Sequence, residues 1–154
     1  MKKTNPLFLL LLSASIFIFS CSKDDDSPEP KPQPKTVEEL LTMHTWKMQE
    51  CRVDQNNVII YYNRGGGTTQ FDADSIRFKS DFTGVYTNST GTGNFTWSFL
   101  DAQKTKLRTF HLNISLNVYW ENISISDSAF RYTEYYTIPG TSIVSLGGYY
   151  RTKR

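Results

Sequence analysis

Apolar and polar residues alternate along most of the chain beyond residue 45. The longest alternating stretch is 110–120, where six apolar side chains occupy the even positions. A period of two is typical of a β-strand with one buried face, so this stretch predicts a strand, or a hairpin that preserves the alternation, with His111 on the exposed face. Shorter stretches repeat the pattern at Phe95, Trp97 and Phe99, at Ile76 and Phe78, at Ile123 and Ile125, and at Phe130 and Tyr132.

Turn signals separate these stretches at short intervals. Segments rich in Gly, Asp, Ser or Pro lie at 65–67, 80–84, 90–93, 101–104, 139–140 and 147–148. Short strands in such close succession predict an antiparallel meander, which has to close or fold over to hide its edges. We therefore expect an all-β fold, an up-and-down antiparallel β-barrel of about eight strands, with a β-sandwich as the alternative. Aromatic side chains at inward positions favour the barrel, because they fill a small interior.

A short helix is expected before the first strand. Thr36 and Glu39 have the spacing of a capping box, in which a hydroxyl and a carboxylate each accept a hydrogen bond from a backbone N–H. Leu41 and Met43 give the following turns an apolar side. The pattern predicts an N-terminal helix that ends near His44 and covers part of the sheet.

The first residues have the features of an export signal. Lys2 and Lys3 precede Leu7–Phe19, an apolar run interrupted by two serines. The run is shorter than the roughly 20 apolar residues that cross a membrane, and it fits the apolar region of a signal peptide. It ends in Ile-Phe-Ser-Cys, which resembles the lipobox of bacterial lipoproteins. The resemblance implies that residues 1–20 are a lipoprotein signal peptide and that Cys21 carries the lipid anchor.

Residues 21–35 are predicted to form a tether between the lipid anchor and a folded domain. The acidic run 24–26 resembles the surface-export signal of Bacteroidota lipoproteins, and residues 27–35 alternate with proline. A proline-rich segment forms an extended spacer of about 3 Å per residue. We expect a domain at 36–154 that is anchored by lipid to the outer membrane and exposed at the cell surface, with the periplasmic face as the alternative.

Charge argues against one class of partner. The chain has 17 Lys and Arg residues and 15 Asp and Glu residues. Two of the basic residues belong to the predicted signal peptide, so the mature chain has 17 − 2 = 15 of each sign. A neutral chain lacks the basic surface that nucleic-acid-binding proteins use, and we expect no nucleic-acid partner.

Several short motifs resemble those of the small lipocalin-like lipoproteins of Bacteroidota. They are the helix with Glu-Glu-Leu-Leu at 38–41 followed by Trp46, the segment 76–84, the segment 95–99 and the aromatic last strand 148–154. The resemblance implies a lipocalin-like barrel over 36–154. It also implies that a basic residue of the last strand, Arg151, lies over the ring of Trp46.

Residue types for catalysis or metal binding are sparse. His44 and His111 are the two histidines, and the chain has no Gly-x-Ser-x-Gly nucleophile motif. Asp72 and Asp74 could offer oxygen ligands to calcium, but no calcium-loop pattern surrounds them, and a solvated turn explains them more simply. Cys51 is expected to be a buried thiol. We predict no enzyme activity, no cofactor and no metal site.

Inward-facing aromatic residues are the candidates for ligand contacts, with core packing as their alternative role. They are Trp97, Trp120, Tyr132 and Tyr136. Glu134 shares the apolar alternation of Tyr132, which is unexpected for an acid. It would either pair with an inward Arg52 as a structural bridge or contact a ligand. The expected ligand is a small hydrophobic or glycan-like molecule, since mouths of β-barrels are common ligand sites.

Two Asp-Ser-aliphatic triplets, 74–76 and 127–129, resemble the O-glycosylation sequon of the same bacteria. Ser75 and Ser128 are the candidate acceptors. Both lie at predicted borders between a turn and a strand, where a glycan can be accommodated.

The sequence thus favours a non-catalytic lipoprotein that binds a small ligand. The alternative is a structural or interaction protein that docks to another envelope or host protein. Adjacent tyrosines support the alternative, because at least one ring of each pair must face outward, and exposed tyrosines are frequent at interfaces. These tyrosines are Tyr61 and Tyr62, Tyr149 and Tyr150, and Tyr135, which is adjacent to Tyr136.

Overall fold

The computed structural model describes residues 33–141 and 144–154. The predicted signal peptide, Cys21 and the tether up to residue 32 lie outside this part. The described part contains one helix and nine strands: α1 (Val37–Met43), β1 (Thr45–Gln55), β2 (Val58–Asn63), β3 (Ser75–Phe78), β4 (Thr83–Asn88), β5 (Gly91–Phe99), β6 (Leu107–His111), β7 (Leu116–Ile125), β8 (Ala129–Thr137) and β9 (Val144–Lys153). Within these ranges, no helix is long and apolar enough to cross a membrane.

The strands form one antiparallel sheet that closes on itself. The strand order is β2-β1-β3-β4-β5-β6-β7-β8-β9, and β1 also pairs with β9. The other edge of β1 pairs with β3 near its start and with β2 near its end. Eight strands, β1 and β3 to β9, therefore complete a barrel, and β2 extends the sheet beside the later half of β1. The structure confirms the predicted up-and-down barrel with a short N-terminal helix, rather than a β-sandwich.

Helix α1 covers one end of the barrel. The capping box is present: the Glu39 backbone N–H donates to Thr36 Oγ1, and the Thr36 backbone N–H donates to the Glu39 carboxylate. Leu41 is fully buried, and Trp46 Nε1 donates to its carbonyl oxygen over 2.9 Å. His44 packs edge-on against Trp46 at 5.6 Å between ring centroids. A short helix without packing would be unstable, so these contacts hold it in place.

The half of the barrel nearest α1 is filled by aromatic rings. Phe78 lies at the centre and meets Phe95, Trp97, Trp120 and Phe130 nearly edge to face, with centroid distances from 5.3 to 6.2 Å. This geometry is the favoured one for aromatic pairs. The bulky inward residues therefore pack this end as a solid core.

A second, smaller core lies where β2 covers the later half of β1. Met48, Cys51, Val53 and Tyr62 are all buried there. Cys51 is 2% exposed, which confirms the expected buried thiol, and burial raises the pKa of that thiol to about 11. The β1–β2 connection is a two-residue turn at 56–57 in which both asparagines have positive φ, 52° and 66°. This backbone is the one that a tight hairpin requires.

The alternation across 110–120 does not continue through the hairpin, so the prediction for this stretch was wrong. Residues 112–115 form a turn, and His111 pairs with Leu116, which brings odd positions of β6 beside even positions of β7 on one face. Thr109 is fully buried and His111 faces inward, while Leu112 is 51% exposed. Across a four-residue turn, the two residues that face each other, here His111 and Leu116, differ by an odd number of positions. The interior face therefore carries odd-numbered residues before the turn and even-numbered residues after it.

The two leucines give a matched test of this packing. We expect Leu41→Ala to lower the free energy of unfolding by about 2–5 kcal/mol, because it leaves a cavity under α1. Leu112→Ala should change it by less than about 0.5 kcal/mol, because the side chain is exposed. Urea unfolding followed by tryptophan fluorescence measures both. Equal losses for the two variants would contradict the assignment of inward and outward positions.

Candidate functional site

The end of the barrel opposite α1 holds an open cavity of about 380 Å³. The turns 88–91 and 112–115 and the segment 64–74 lie at this end, since β4, β6 and β1 all run towards it. Apolar side chains of β1, β3 and β7 form much of the wall, and Thr87, Asn88 and Thr90 add polar groups near the rim. The barrel is thus solid at one end and hollow at the other.

A stack of three rings lies beside this cavity, and its two outer rings line it. Trp120 and Tyr132 lie 4.2 Å apart between centroids with planes 5° apart, and Tyr132 and Tyr149 lie 5.2 Å apart with planes 10° apart. The rings come from β7, β8 and β9, which are neighbours in the sheet. We call Trp120, Tyr132 and Tyr149 the aromatic stack. Trp120 and Tyr132 are buried and Tyr149 is partly buried, so packing holds the polar groups attached to the stack in place.

Arg151 carries a buried positive charge beside the stack. It is 7% exposed, and its Nε donates to the Tyr132 hydroxyl over 2.7 Å. Its guanidinium lies 5.9 Å from the Tyr132 ring centroid, so the cation–π contact is with Tyr132 rather than with Trp46. Burial opposes the charge, but the Tyr132 hydroxyl and the carboxyls of Asp74 and Glu134 outweigh that effect, and the pKa of Arg151 is raised.

Two donors near the cavity lack a hydrogen-bond partner among the described residues. They are Arg151 Nη1 and Trp120 Nε1. Arg151 and Trp120 both line the cavity. An unpartnered buried donor costs about 1–3 kcal/mol, and both of these atoms are buried beneath the cavity surface.

Glu134 also lines the cavity, and it is partly buried there. Burial raises the pKa of its carboxyl to about 7, while Arg151 and a hydrogen bond from Tyr149 oppose that rise. The prediction that Arg52 pairs with Glu134 was wrong. Arg52 is exposed on the outer face, where its Nε donates to the Tyr61 hydroxyl over 3.2 Å. The inward arginine is Arg151, because β9 pairs with β8 and places it on the interior face.

His111 completes the wall on the β6 side. Its ring lies 4.8 Å from that of Tyr86 and 5.7 Å from that of Phe95, centroid to centroid. Burial lowers the pKa of the imidazole, so His111 is neutral at pH 7. The prediction that the His111 imidazole is exposed was wrong. The 112–115 turn puts odd-numbered residues of β6 on the same face as even-numbered residues of β7, so His111 faces the interior.

Two glycines give space to tyrosine rings at the cavity wall. A Cβ at Gly93 would collide with the ring of Tyr86, and a Cβ at Gly147 would lie 2.7 Å from Cε2 of Tyr149. Both tyrosines therefore lie flat against bare backbone instead of projecting into the interior. The absence of two side chains at these positions helps to keep the cavity hollow.

The structure brings three of the five candidate ligand residues to the cavity. Trp120, Glu134 and Tyr136 line it. Tyr132 lies behind it in the aromatic stack, 3% exposed. Trp97 belongs to the solid end, where its Nε1 donates to the carbonyl oxygens of Lys79 and Thr83 over 3.2 and 2.9 Å. Packing therefore accounts for Trp97 and Tyr132.

Three cavity residues had other expected roles. Asp74 was interpreted as part of a solvated turn, but it lines the cavity, and burial raises the pKa of its carboxyl. Arg151 was expected over Trp46, and His111 was expected outside. The alternation of Tyr149 and Arg151 in the last strand is the signal that could have placed the arginine inside.

The two candidate glycosylation sites differ in position. Ser75 begins β3 and lines the cavity. Ser128 lies on an exposed turn between β7 and β8, next to Asp127, which pairs with Lys35 over 2.8 Å. Glycosylation at either serine stays a prediction. In the described ranges, no cluster of three or more His, Cys, Asp or Glu side chains is arranged to hold a metal ion.

Comparison with known proteins adds a structural likeness. No protein-family model matches the chain, and no curated protein matches it. Among solved structures, the chain is similar to a DUF4847 family protein from Bacteroides vulgatus ATCC 8482, with 14% sequence identity, a TM-score of 0.43, and coverage of 73% of this chain and 96% of that chain. Function is therefore inferred from the cavity and its residues.

The titration of Glu134 predicts how stability changes with pH. Its pKa is about 7 in the folded protein against 4.5 for the free side chain. Between these values the unfolded chain releases a proton that the folded protein keeps, so this carboxyl lowers stability progressively from about pH 4.5 to pH 7. Glu134→Gln removes the effect, so the free energy of unfolding of Glu134→Gln relative to the unsubstituted protein should rise by about 3 kcal/mol between pH 4.5 and pH 8.

Urea unfolding of both proteins at several pH values measures this difference. Other titrating groups, His111 among them, contribute equally to both proteins and cancel in the comparison. A difference that stays constant with pH would contradict the assigned state of Glu134.

Proposed function

We propose that this protein is a non-catalytic, lipid-anchored binding protein that holds a small, largely apolar molecule in the open end of its barrel. The observation that carries the proposal is the 380 Å³ cavity beside the aromatic stack. Small-molecule sites are typically concave, mostly apolar, and about 300–1,000 Å³ in volume, with a few placed polar groups. The cavity is concave and has a volume in this range, and its lining combines apolar side chains with polar groups in similar measure.

Apolar and polar groups are divided in a way that suits such a ligand. Ile76 of β3 and Leu116 and Val118 of β7 line the cavity from opposite walls of the barrel, while Glu134 and Arg151 lie beside the aromatic stack. An apolar body gains from leaving water, by about 25 cal/mol per Å² of buried surface. The few polar groups then orient the molecule. This arrangement supports binding rather than turnover, and the proposal assigns no chemical step to the site.

A bulky substitution tests whether the cavity binds a ligand. Leu116→Trp should fill the cavity and abolish binding, because Leu116 lines it. Leu112→Trp is the matched control, since Leu112 lies in the turn that leads to Leu116 and is 51% exposed. Native mass spectrometry of protein purified gently from envelope extract should find a bound molecule in the control and none in Leu116→Trp. Retention of the same molecule by both variants would overturn the proposed site.

The proposed location rests on the N-terminal sequence. By its resemblance to a lipobox, Cys21 would anchor the chain to the outer membrane, and the proline-rich tether would hold the barrel away from it at the cell surface. Cys21 lies outside the described residues. A lipocalin-like relationship is part of the same proposal, supported by the motifs at 38–46 and 148–154.

Replacing the anchor residue tests this location. Cys21→Ala should move the protein from the membrane fraction to the soluble fraction, because the lipid would have no attachment site. Cell fractionation with immunoblotting measures the change, and protease treatment of intact cells reports surface exposure. A Cys21→Ala protein that stays in the membrane fraction would contradict the anchor.

A second candidate function, docking to another protein, has support on the outer face. Ile59, Tyr61 and Leu146 are 44%, 65% and 49% exposed on β2 and β9. Tyr119 and Tyr135 stack on the same side of the sheet, 5.2 Å apart between centroids. Exposed aromatic and aliphatic groups together favour protein contacts. Photo-crosslinking from position 146 on intact cells would capture a partner if this function holds.

A further inference from the structure

Strand β2 has one edge that no described strand covers. The eight strands of the closed barrel each have a neighbour on both sides, whereas β2 pairs with β1 alone among the described strands. Proteins usually protect such an edge with a lysine, a proline or a bulge. Residues 58–63, Val-Ile-Ile-Tyr-Tyr-Asn, contain no charge and no proline, and their pairing with β1 shows no register shift. The edge is therefore able to pair with a further strand.

The register of β1 and β2 shows which backbone groups point from this edge. In an antiparallel ladder every second residue pair is hydrogen-bonded, and here the Arg64 N–H donates to the Gln49 carbonyl oxygen over 2.9 Å. In steps of two from Arg64, the residues that bond to β1 are 62, 60 and 58. The N–H and C=O groups of Ile59 and Tyr61 therefore point away from β1. Within residues 33–141 and 144–154, none of these groups has a hydrogen bond.

A second copy of β2 is complementary to this edge. Antiparallel pairing about a two-fold axis can place Ile59 opposite Tyr61 of the second copy and Ile60 opposite Ile60. Ile59 and Tyr61 then exchange both backbone hydrogen bonds, and the two-fold axis repeats the exchange, so the free groups of both copies are all used. Shifting the register by two residues would require Asn57, which lies in the hairpin turn, or the Asn63 carbonyl oxygen, which already accepts a hydrogen bond from the following turn.

The side chains of this edge also suit a second copy. In the same register each exposed Ile59 lies beside an exposed Tyr61 on the outer face, and an aromatic with a β-branched residue is a favoured cross-strand pair. On β1, Arg52 lies beside Tyr61 and Asp54 lies beside Ile59. Each row of side chains across the dimer therefore has an arginine at one end and an aspartate at the other, so pairing brings no like charges together.

We propose that two copies of this chain pair edge to edge through β2, which makes the sheets of the two barrels continuous. The contact between two six-residue strands is small, so we expect reversible pairing rather than a permanent dimer. The tether of the same chain is a poorer partner for the edge, because residues 27–35 alternate with proline, which has no N–H to donate. The proposal concerns β2 and does not depend on what the cavity binds.

Cysteine crosslinking on cells that express the full chain tests the pairing and its register. Ile60→Cys places two thiols opposite each other at the two-fold axis, with Cα atoms about 4.5 Å apart, a separation that a disulfide can span. Val58→Cys is the matched control, because Val58 is more exposed on the same strand but would lie about 14 Å from its copy. After mild oxidation, immunoblots without reductant should show a dimer band at least tenfold stronger for Ile60→Cys.

Three results of this experiment would overturn the proposal. They are the absence of a dimer band for Ile60→Cys, dimer bands of equal strength for the two variants, and a crosslinked band of another mass, which would show a different protein at the edge. Both variants keep the buried Cys51, so this thiol does not account for a difference between them. None of the three results bears on ligand binding in the cavity.

A backbone variant covers the case in which Ile60→Cys does not fold. Ile59→Pro removes an N–H that points away from β1, so it blocks the edge and leaves the β1–β2 hydrogen bonds in place. Ile59→Thr is the matched control, since it removes the same apolar side chain and keeps the N–H. Sedimentation equilibrium of the full chain in a mild detergent should show a dimer before substitution, little change in Ile59→Thr, and at least tenfold weaker dimerisation in Ile59→Pro. A monomer at every concentration before substitution, or a dimer that Ile59→Pro does not weaken, would contradict the proposal.

Discussion

A positive charge is buried inside this barrel, and the arrangement of its open end follows from that constraint. Taking a guanidinium out of water is costly unless it is hydrogen-bonded and balanced by negative charge. Arg151 meets part of the cost through the Tyr132 hydroxyl and through Asp74 and Glu134, which lie near it without pairing closely. Arg151 also lines the cavity, so the residue that carries the buried charge belongs to the wall of the proposed binding site.

The rest of the fold serves to hold that group in place. The edge-to-face cluster around Phe78 fills the end that α1 covers, and the fully buried Trp46 ties the helix to the first strand. The aromatic stack extends this rigid packing to the level of Arg151. Beyond it, Gly93 and Gly147 keep the tyrosine rings flat against the wall, so the interior changes from packed to hollow within one barrel.

The period-two pattern of the sequence predicted the barrel. It failed at two points, the turn at 112–115 and the choice of the arginine near Glu134. The alternation of Phe130, Tyr132 and Glu134 correctly placed these side chains on the interior face. The alternation at 110–120 did not reveal the 112–115 turn, because apolar Leu112 and Ile114 fit the even positions while lying exposed.

The arginine near Glu134 could not be predicted from the sequence, for a different reason. Alternation assigns a residue to a face within its own strand, but it does not show which strands become neighbours when the sheet closes. Closure places β9 between β8 and β1, and this brings Arg151 to the interior beside Tyr132 while Arg52 faces solvent. The shape of the cavity depends on the same closure, together with the two glycine–tyrosine contacts, and neither has a local sequence signal.

The central claim is that the barrel holds an open cavity at the end opposite α1, beside the buried Arg151. A crystal structure of the unlipidated Cys21→Ser protein tests it most directly. The account predicts an open cavity that holds a ligand or ordered water, with Arg151 Nε still bound to the Tyr132 hydroxyl. A guanidinium paired directly with Glu134 or Asp74, and side chains closed over the space, would contradict it.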